Sequence, residues 1–292
     1  MPDTPEPRCP TDLCDRLREQ TERALRSGAL KPIPTEVETV RDGGLDFQVR
    51  IAPSLEDKIR EAREQQAQAA AGQPADPFAS PEPDLYLGPL SATHFGLLNK
   101  FPVLANHLLL VTRAYEDQQV PLNRADFTVL GACLAGMDGL GFYNAGPIAG
   151  ASQAHKHLQL VPPLQPGSPR PAPVETLLQP GTLGHEPIRV ESLPFPHAAC
   201  DLPPEAGAEE LLDRYYALRA ATGLADSRAP YNLLVTRRWM LLVPRCREGF
   251  EGIMVNALGF AGGFLVRNRT DFAHLADVGP MRVLQGVAGA PD

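Results

Sequence analysis

The chain lacks the long apolar runs and the basic excess that mark membrane and nucleic-acid proteins. No hydrophobic stretch reaches the roughly 18–20 residues that a membrane-spanning helix needs, and the opening residues, MPDTPEPRCP, contain no apolar core of a secretory signal. The formal net charge is −8, whereas neutralising a phosphate backbone needs a basic surface. We therefore expect a cytoplasmic protein with no membrane partner and no nucleic-acid partner.

Paired cysteines are also missing. The chain has five cysteines, an odd number, and no two of them stand in a Cys-x-x-Cys pair. That scatter excludes a disulfide scaffold and a zinc knuckle built on cysteine. Free thiols in a reducing compartment are the expected state.

Proline, in contrast, is abundant, with 31 residues among 292. The prolines cluster near the N-terminus and at 74–89 and 162–204, and because proline interrupts helices and sheet ladders, these stretches are expected to be loops. Periodicity between them predicts both helices and strands. The predicted helices are 11–29 (with Leu13, Leu17 and Leu25 on its apolar face), 55–71, 123–140, 208–222 and 271–285. The predicted strands lie in 35–51, 85–113, 155–161, 231–245 and the glycine-containing segment 256–268.

The segment HKHLQ carries the strongest chemical signal. On a strand, side chains alternate faces, so His155, His157 and Gln159 share one side, while Lys156 falls unexpectedly on the other, with Leu158. Imidazole is a good nucleophile toward phosphorus. Glutamine cannot supply a proton of matched pKa but can hydrogen-bond a phosphoryl oxygen. This pattern suits a leaving group that is already a weak base, such as a phosphate chain.

A glycine-rich loop, GFYNAGPIAGASQ, precedes this strand. Glycines let backbone N–H groups approach phosphate oxygens and form an anion nest. Ser152 could donate to the α-phosphate, and Asn144 could orient a histidine or contact the scissile bond. Two histidines on one strand face are by themselves more often structural or metal-binding, but the local motif has no carboxylate or cysteine to complete a metal site. The combination of loop, serine, histidines and glutamine is far more specific than any part.

The segment NAGPIAGASQAHKHLQLV resembles the active-site segment of the histidine triad superfamily, and more narrowly that of the ATP adenylyltransferases, also called diadenosine tetraphosphate phosphorylases. Three further segments carry the same resemblance: PSLEDK at 53–58, LLNKFPVLANHLLLVTR at 97–113, and YNLLVTRRWMLLVPR with NALGFAGGFLVR at 231–267. The resemblance spans most of the chain. It implies an α+β fold, with a histidine-triad-like antiparallel sheet and flanking helices, enlarged by N- and C-terminal additions.

The resemblance also implies roles for individual residues. His157 matches the nucleophile that becomes adenylylated, and His155, Gln159 and Ser152 complete the expected catalytic group. The implied substrate-binding positions are Lys58, Asn99, Lys100, Asn144, Gly150, Ala151, Ser152, Gln153, Ala154, Gln159, Asn256, Ala257, Leu258, Gly263 and Arg267. At Gly263 and Arg267 the family usually has other residue types. His94 and His107 are interpreted instead as packing or surface groups.

The implied reaction is the reversible phosphorolysis of diadenosine tetraphosphate to ATP and ADP through an adenylyl-histidine. The implied partners are the dinucleoside polyphosphate, ATP, ADP and phosphate, and the implied cofactor is a divalent cation, Mg²⁺, carried on the substrate phosphates. We expect residues 1–162 to hold the HxHxQ motif, 163–204 to connect, and 205–292 to complete the nucleotide site, all within one integrated unit. No metal ligand is predicted.

Two alternatives remain open from the residues. A hexose-1-phosphate nucleotidyltransferase also uses His-x-His-x-Gln, although such enzymes often carry structural zinc and the cysteines here lack that spacing. A nucleotide-binding module without turnover is the second alternative, and the presence of both His157 and Gln159 argues against it.

Overall fold

An eight-stranded sheet forms the centre of the protein in the computed structural model, which describes residues 13–53, 76–225 and 228–289. Every neighbouring pair in this sheet is antiparallel. In spatial order its strands are β3 (Tyr86–Pro89), β4 (His94–Leu98), β5 (Leu108–Thr112), β7 (His157–Val161), β6 (Leu140–Asn144), β9 (Tyr231–Val235), β10 (Trp239–Pro244) and β8 (Ala198–Asp201). The strand that carries the histidine motif is therefore held on both sides, between β5 and β6.

A smaller sheet joins the two ends of the described chain. The hairpin of β1 (Glu36–Asp42) and β2 (Leu45–Ile51) turns at Gly43 and Gly44, both at positive φ, where glycine carries no steric penalty. Strand β13 (Gly263–Val266) pairs with β2 in parallel. A short hairpin of β11 (Gly249–Phe250) and β12 (Ile253–Met254) precedes it.

Helices cover both faces of the large sheet. They are α1 (Leu13–Ser27), α2 (Arg124–Gly136), α3 (Glu175–Leu178), α4 (Ala208–Ala221), α5 (Ala257–Ala261), α6 (Arg269–Val278) and α7 (Pro280–Val287). None of the helices within the described ranges is long and apolar enough to cross a membrane. The mixture of helices with an antiparallel sheet confirms the predicted α+β class.

Two hydrophobic cores lie on opposite faces of the sheet, and β7 contributes to both. Leu158 and Leu160 belong to the core that includes residues of α1, α2 and α4, and each buried leucine contributes about 1.5–3 kcal/mol. Val161 belongs to the other core, with residues of β2, α5 and α7. Because side chains alternate along a strand, His157 and Gln159 face this second side.

The helix predicted over 123–140 is shorter than expected, and the glycine-rich loop starts later. Helix α2 ends at Gly136, and Leu140–Asn144, placed largely in the loop by the sequence, is strand β6 with every residue buried. Gly139 lies between them, and a Cβ there would stand 2.3 Å from the Val161 carbonyl oxygen. That close approach of β7 explains why residue 139, in the connection between α2 and β6, is a glycine.

Other predicted boundaries also shift. The segment 256–268 contains helix α5 as well as strand β13, and the final helix divides into α6 and α7. The break falls at Gly279, at φ 89°, followed by Pro280, because neither residue continues a helix. The proline-rich connection 163–204 contains α3 and supplies edge strand β8.

The first helix is confirmed, but one predicted face residue is wrong. Leu13 and Leu17 of α1 are buried, whereas Leu25 is 47% exposed and Ala24 is buried in its place. The helix predicted at 55–71 lies outside the described residues.

Candidate active site

His157 sits on β7 with one ring nitrogen fixed. Its Nδ1 lies 2.8 Å from the backbone carbonyl oxygen of His155. Since a carbonyl only accepts, Nδ1 carries the proton, and Nε2 of the neutral ring holds a lone pair. No described residue hydrogen-bonds to that Nε2. Burial lowers the pKa of His157 from 6.5 to about 4, so the ring is neutral and nucleophilic at physiological pH.

His155 is anchored from both ring nitrogens. Its Nδ1 is 2.8 Å from Asp76 Oδ2, and its Nε2 is 3.0 Å from the Thr112 hydroxyl. The ring of Phe78 packs edge-on against His155 and His157, with centroids 5.7 and 5.2 Å away. Both imidazoles therefore lie beside one phenyl ring, as alternation along 155–161 predicts, although β7 itself begins only at His157 and His155 forms an isolated bridge with Asp117.

Lys156 is fully buried on the opposite face. Its Nζ lies 2.9 Å from Glu116 Oε2 and 2.9 Å from Asp126 Oδ2, and Asp126 also lies 3.0 Å from His94 Nε2. Burial alone would lower the pKa of Lys156, but Asp126 and Glu116 raise it overall. Lys156, whose position opposite the histidines was unexpected from the sequence, is thus a charged, paired group. It ties the residue before β7 to Asp126 of α2 and to Glu116, which precedes α2.

Gln159, two residues beyond the nucleophile, belongs to a polar chain. Its Oε1 lies 2.8 Å from His107 Nε2, and His107 Nδ1 lies 3.1 Å from Asn99 Nδ2. His107 is 7% exposed, which confirms it as a packed residue, but its ring is bonded to the candidate site. Asn99, predicted to bind substrate, uses both amide groups within the protein, because its Oδ1 also accepts from the Phe101 N–H.

Gln118 holds the backbone of the nucleophile and was not singled out from the sequence. Its Oε1 accepts the His157 N–H at 2.8 Å, while its Nε2 donates to the carbonyl oxygens of His157 at 3.2 Å and Asn144 at 2.9 Å. It is 1% exposed. One amide therefore fixes both the nucleophile and the start of the loop before it. A glutamine in a connecting segment gives no local signal of this role.

The amides of the glycine-rich loop are arranged differently from the predicted nest. The N–H groups of Gly146, Ala149, Gly150 and Ala151 all donate to backbone carbonyls inside the loop. Those of 152–154 have no hydrogen-bond partner among the described residues, and Ser152 itself is exposed. The free donors therefore lie at Ser152–Ala154, directly before the histidine motif.

Asn144 joins the loop to the C-terminal part. Its Oδ1 accepts from Asn232 Nδ2 at 2.8 Å and from the Ala257 N–H at 3.0 Å. Gly150, at φ 89°, lies against Asn256, where a Cβ would stand 2.7 Å from the asparagine Cβ. The structure thus brings together Asn144, Gly150, Asn256 and Ala257, and the adjoining Leu258 N–H donates to the Asn256 side chain.

A buried arginine supports the same junction. Arg245, fully buried, donates to Asn232 Oδ1 at 2.6 Å and to backbone carbonyls that include those of Ala149 and Val255. Burial lowers the pKa of Arg245 to about 10, so it remains charged. Neither Asn232 nor Arg245 is signalled by a local motif, because both act through contacts between distant segments.

The remaining predicted positions are not joined to the histidines by any described contact. Lys100 pairs with Glu82 at 2.5 Å, and Arg267 pairs with Asp271 at 2.6 Å. Gly263 begins β13, where a Cβ would meet Leu164 at 3.2 Å. Lys58 lies outside the described residues. The roles of these four residues stay predictions.

Comparisons with known proteins agree over nearly the whole chain. The family model described as Ap4A phosphorylase N-terminal domain matches residues 4–180, and that described as ATP adenylyltransferase C-terminal domain matches residues 191–290. Diadenosine 5',5'''-P1,P4-tetraphosphate phosphorylase 2 of Saccharomyces cerevisiae is 29% identical, over 91% of this chain and 90% of its own. Protein APA1 of the same yeast is 28% identical, over 92% and 91%.

Solved structures give the same answer. The yeast Ap4A phosphorylase Apa2 in complex with Ap4A superposes with a TM-score of 0.81 and 25% identity, covering 96% of this chain and 98% of that one. The complex of Apa2 with AMP gives a TM-score of 0.80 and 27% identity, covering 96% and 97%. Because the first family model alone spans more than half of the chain, the chain belongs to the Ap4A phosphorylase family.

Proposed function

We propose that this protein catalyses the reversible phosphorolysis of diadenosine tetraphosphate to ATP and ADP, with His157 as the group that carries AMP between the two products. One observation carries the proposal: in a chain of this family, the Nδ1 of His157 is tied to the His155 carbonyl, which leaves Nε2 as the nucleophile. Gln159 stands two residues away on the same strand face.

In the first step, His157 Nε2 attacks the α-phosphorus of the dinucleotide. A P–N bond forms, the bond from that phosphorus to the bridging oxygen breaks, and ATP leaves as a weak base that needs no general acid. The ring becomes positively charged, and the Nδ1–H donated to the His155 carbonyl at 2.8 Å stabilises that charge. The free amides at Ser152–Ala154 and the Gln159 amide are the donors available to the phosphoryl oxygens.

In the second step, inorganic phosphate attacks the adenylyl phosphorus. A P–O bond forms, the P–N bond breaks, and ADP leaves with His157 restored as a neutral ring. Because both steps pass through similar charge distributions, the same donors serve each direction. The proposed partners are therefore the dinucleotide, ATP, ADP and phosphate.

The proposed divalent cation, Mg²⁺, enters on the substrate phosphates. Within the described ranges no group of three or more His, Cys, Asp or Glu side chains is arranged to hold a metal, and a cation bound mainly to phosphates needs none. When bound, it would neutralise phosphate charge. No step described here depends on a residue that ligates it.

Product analysis tests the proposal. The purified protein is incubated with diadenosine tetraphosphate and Mg²⁺, with and without phosphate, and the nucleotides are resolved. We expect ATP and ADP in equal amounts, with sustained turnover only when phosphate is present. ATP with AMP would identify a hydrolase, and an absence of products in both samples would favour a module that only binds nucleotides; either result contradicts the proposal.

The rate of adenylyl transfer should be insensitive to moderate acid. His157 has a pKa of about 4, and the internal phosphates of the dinucleotide have no ionisation near neutrality, so the single-turnover rate should stay flat between pH 8 and about pH 5. Rapid quenching without phosphate measures that rate. An acid limb centred near the ordinary histidine value of 6.5 would contradict the assignment.

The free energy of unfolding should decrease in mild acid, whereas a histidine in a salt bridge would stabilise the protein there. The pKa values of His107 and His157 are both lowered on folding, to about 4, so between about 6.5 and 4 the unfolded chain binds more protons than the folded one. These two groups therefore decrease the free energy of unfolding as the pH falls through that window, and change nothing above it. Urea titrations at a series of pH values measure the trend.

A further inference from the structure

The side-chain amide of Gln159 has an accepting oxygen and a donating NH₂ group. Which of the two faces the substrate decides whether Gln159 can hydrogen-bond a phosphoryl oxygen. A phosphoryl oxygen only accepts hydrogen bonds, so the site needs the Gln159 Nε2 rather than its Oε1 next to the reacting phosphorus. The two ends have nearly the same shape, and a lone glutamine side chain can rotate to present either. A neighbouring group must therefore hold the Gln159 amide in one of its two orientations.

A chain of hydrogen bonds that starts at a backbone N–H fixes that orientation. The Phe101 N–H can only donate, and it donates to Asn99 Oδ1 at 3.2 Å. The other end of that amide, Nδ2, therefore faces His107 Nδ1 at 3.1 Å and donates to it. Because Nδ1 accepts, the ring proton of a neutral His107 is on Nε2, which lies 2.8 Å from Gln159 Oε1 and donates to it.

His107 is held in the neutral form that this chain requires. Burial lowers its pKa to about 4, the Gln159 hydrogen bond opposes that shift, and the nearby His157 adds to it. The ring of Phe142 packs against the imidazole, with centroids 5.9 Å apart. At neutral pH the ring thus carries a single proton, and the Asn99 donor leaves only Nε2 to hold it.

The pairing of strands in the sheet places Gln159 at the end of this chain of hydrogen bonds. His107 directly precedes β5, and in the register of β5 with β7, Leu109 stands opposite Gln159. On the other side of β7, Phe142 stands opposite Gln159. Gln159 is 9% exposed, and its Nε2 has no hydrogen-bond partner among the described residues. The strand pairing thus delivers the donor of His107 to one end of the amide and leaves the other end available.

We propose that His107 is a positioning residue that locks the Gln159 amide with its N–H groups toward the phosphoryl oxygens beside His157. The role rests on the proposed function, since it names the device that orients a donor for that reaction. Asn99, expected to bind substrate, acts indirectly: it donates to His107 Nδ1 and so leaves the ring proton on Nε2.

Kinetic coupling tests the proposal. The variants are His107→Leu, which removes the donor, His107→Gln, which retains an N–H, Gln159→Ala, and the double variant of His107→Leu with Gln159→Ala. We expect the single-turnover adenylylation rate of His107→Leu to fall about 10- to 100-fold, with His107→Gln recovering most of the loss. Because His107 acts through Gln159, the double variant should be as slow as Gln159→Ala alone.

A second measurement does not depend on activity. Nitrogen-15 NMR of the histidine rings in the folded protein at pH 7 should show His107 protonated at Nε2 and not at Nδ1. A ring protonated at Nδ1, or additive losses in the double variant, would overturn the proposal, and the NMR result decides if His107→Leu does not fold. Should the protein transfer no adenylyl group at all, the proposed function fails, and the NMR spectrum still separates that failure from an incorrect hydrogen-bond chain.

Discussion

Replacing His157 with alanine is expected to reduce phosphorolysis of diadenosine tetraphosphate by at least about 10⁴-fold, because the covalent step loses its nucleophile. The fold should persist. The side chain is buried but, among the described residues, makes only one hydrogen bond of its own, to the His155 carbonyl, and the strand around it is paired on both sides. Steady-state production of ATP and ADP measures the loss, and circular dichroism with thermal melting checks the fold.

A matched control separates this loss from a general effect of removing a histidine. His274→Ala changes an exposed imidazole on α6 whose one hydrogen bond within the described part of the chain is to the Glu251 carbonyl, and its activity should equal that of the unmodified protein. A His157→Ala protein that folds and retains full activity would show that His157 is not the nucleophile.

The second large effect is expected at Gln118. Replacing it with methionine keeps the volume but removes all three of its contacts with the backbones of His157 and Asn144. The buried His157 N–H then lacks a partner, which costs about 1–3 kcal/mol of unfolding free energy. Displacement of the nucleophile should lower kcat by about 100-fold, with a smaller change in KM. Urea unfolding and steady-state kinetics measure the two effects.

The comparison variant for Gln118 is Gln285→Met, which removes an exposed hydrogen bond to the Pro194 carbonyl. It should leave both stability and kcat nearly unchanged. If Gln118→Met lost stability but kept its full kcat, Gln118 would be a structural residue and not a support of the nucleophile.

The central strand was predictable because its chemistry is local. Alternation along HKHLQ places His155, His157 and Gln159 on one face, and the structure does the same. The glycines of the preceding loop predicted a nest of backbone amides near the histidines. Even there the sequence did not show which amides the turn consumes, because that depends on carbonyls such as those of Gly146 and Pro147.

The supports of the site were not predictable, because each depends on pairing between distant segments. Gln118 reaches a strand 39 residues later in the chain. His107 acquires its contact with Gln159 only because β5 pairs with β7 in one register. Asn232 meets Asn144 across 88 residues. Isolated polar residues in a sequence give no sign of such contacts, and for this reason His107 was interpreted as a packing or surface group.

The adenylyl-histidine intermediate is tested most directly by finding the adenylyl group itself. The protein is mixed with diadenosine tetraphosphate and Mg²⁺ without phosphate, quenched, digested and examined by mass spectrometry under conditions that preserve phosphoramidate bonds. We expect one adenylyl group on the peptide that contains His157, located on that residue, and its disappearance as ADP forms when phosphate is added before quenching. Adenylylation at another residue, or turnover with no adenylyl-protein at any time, would contradict that expectation.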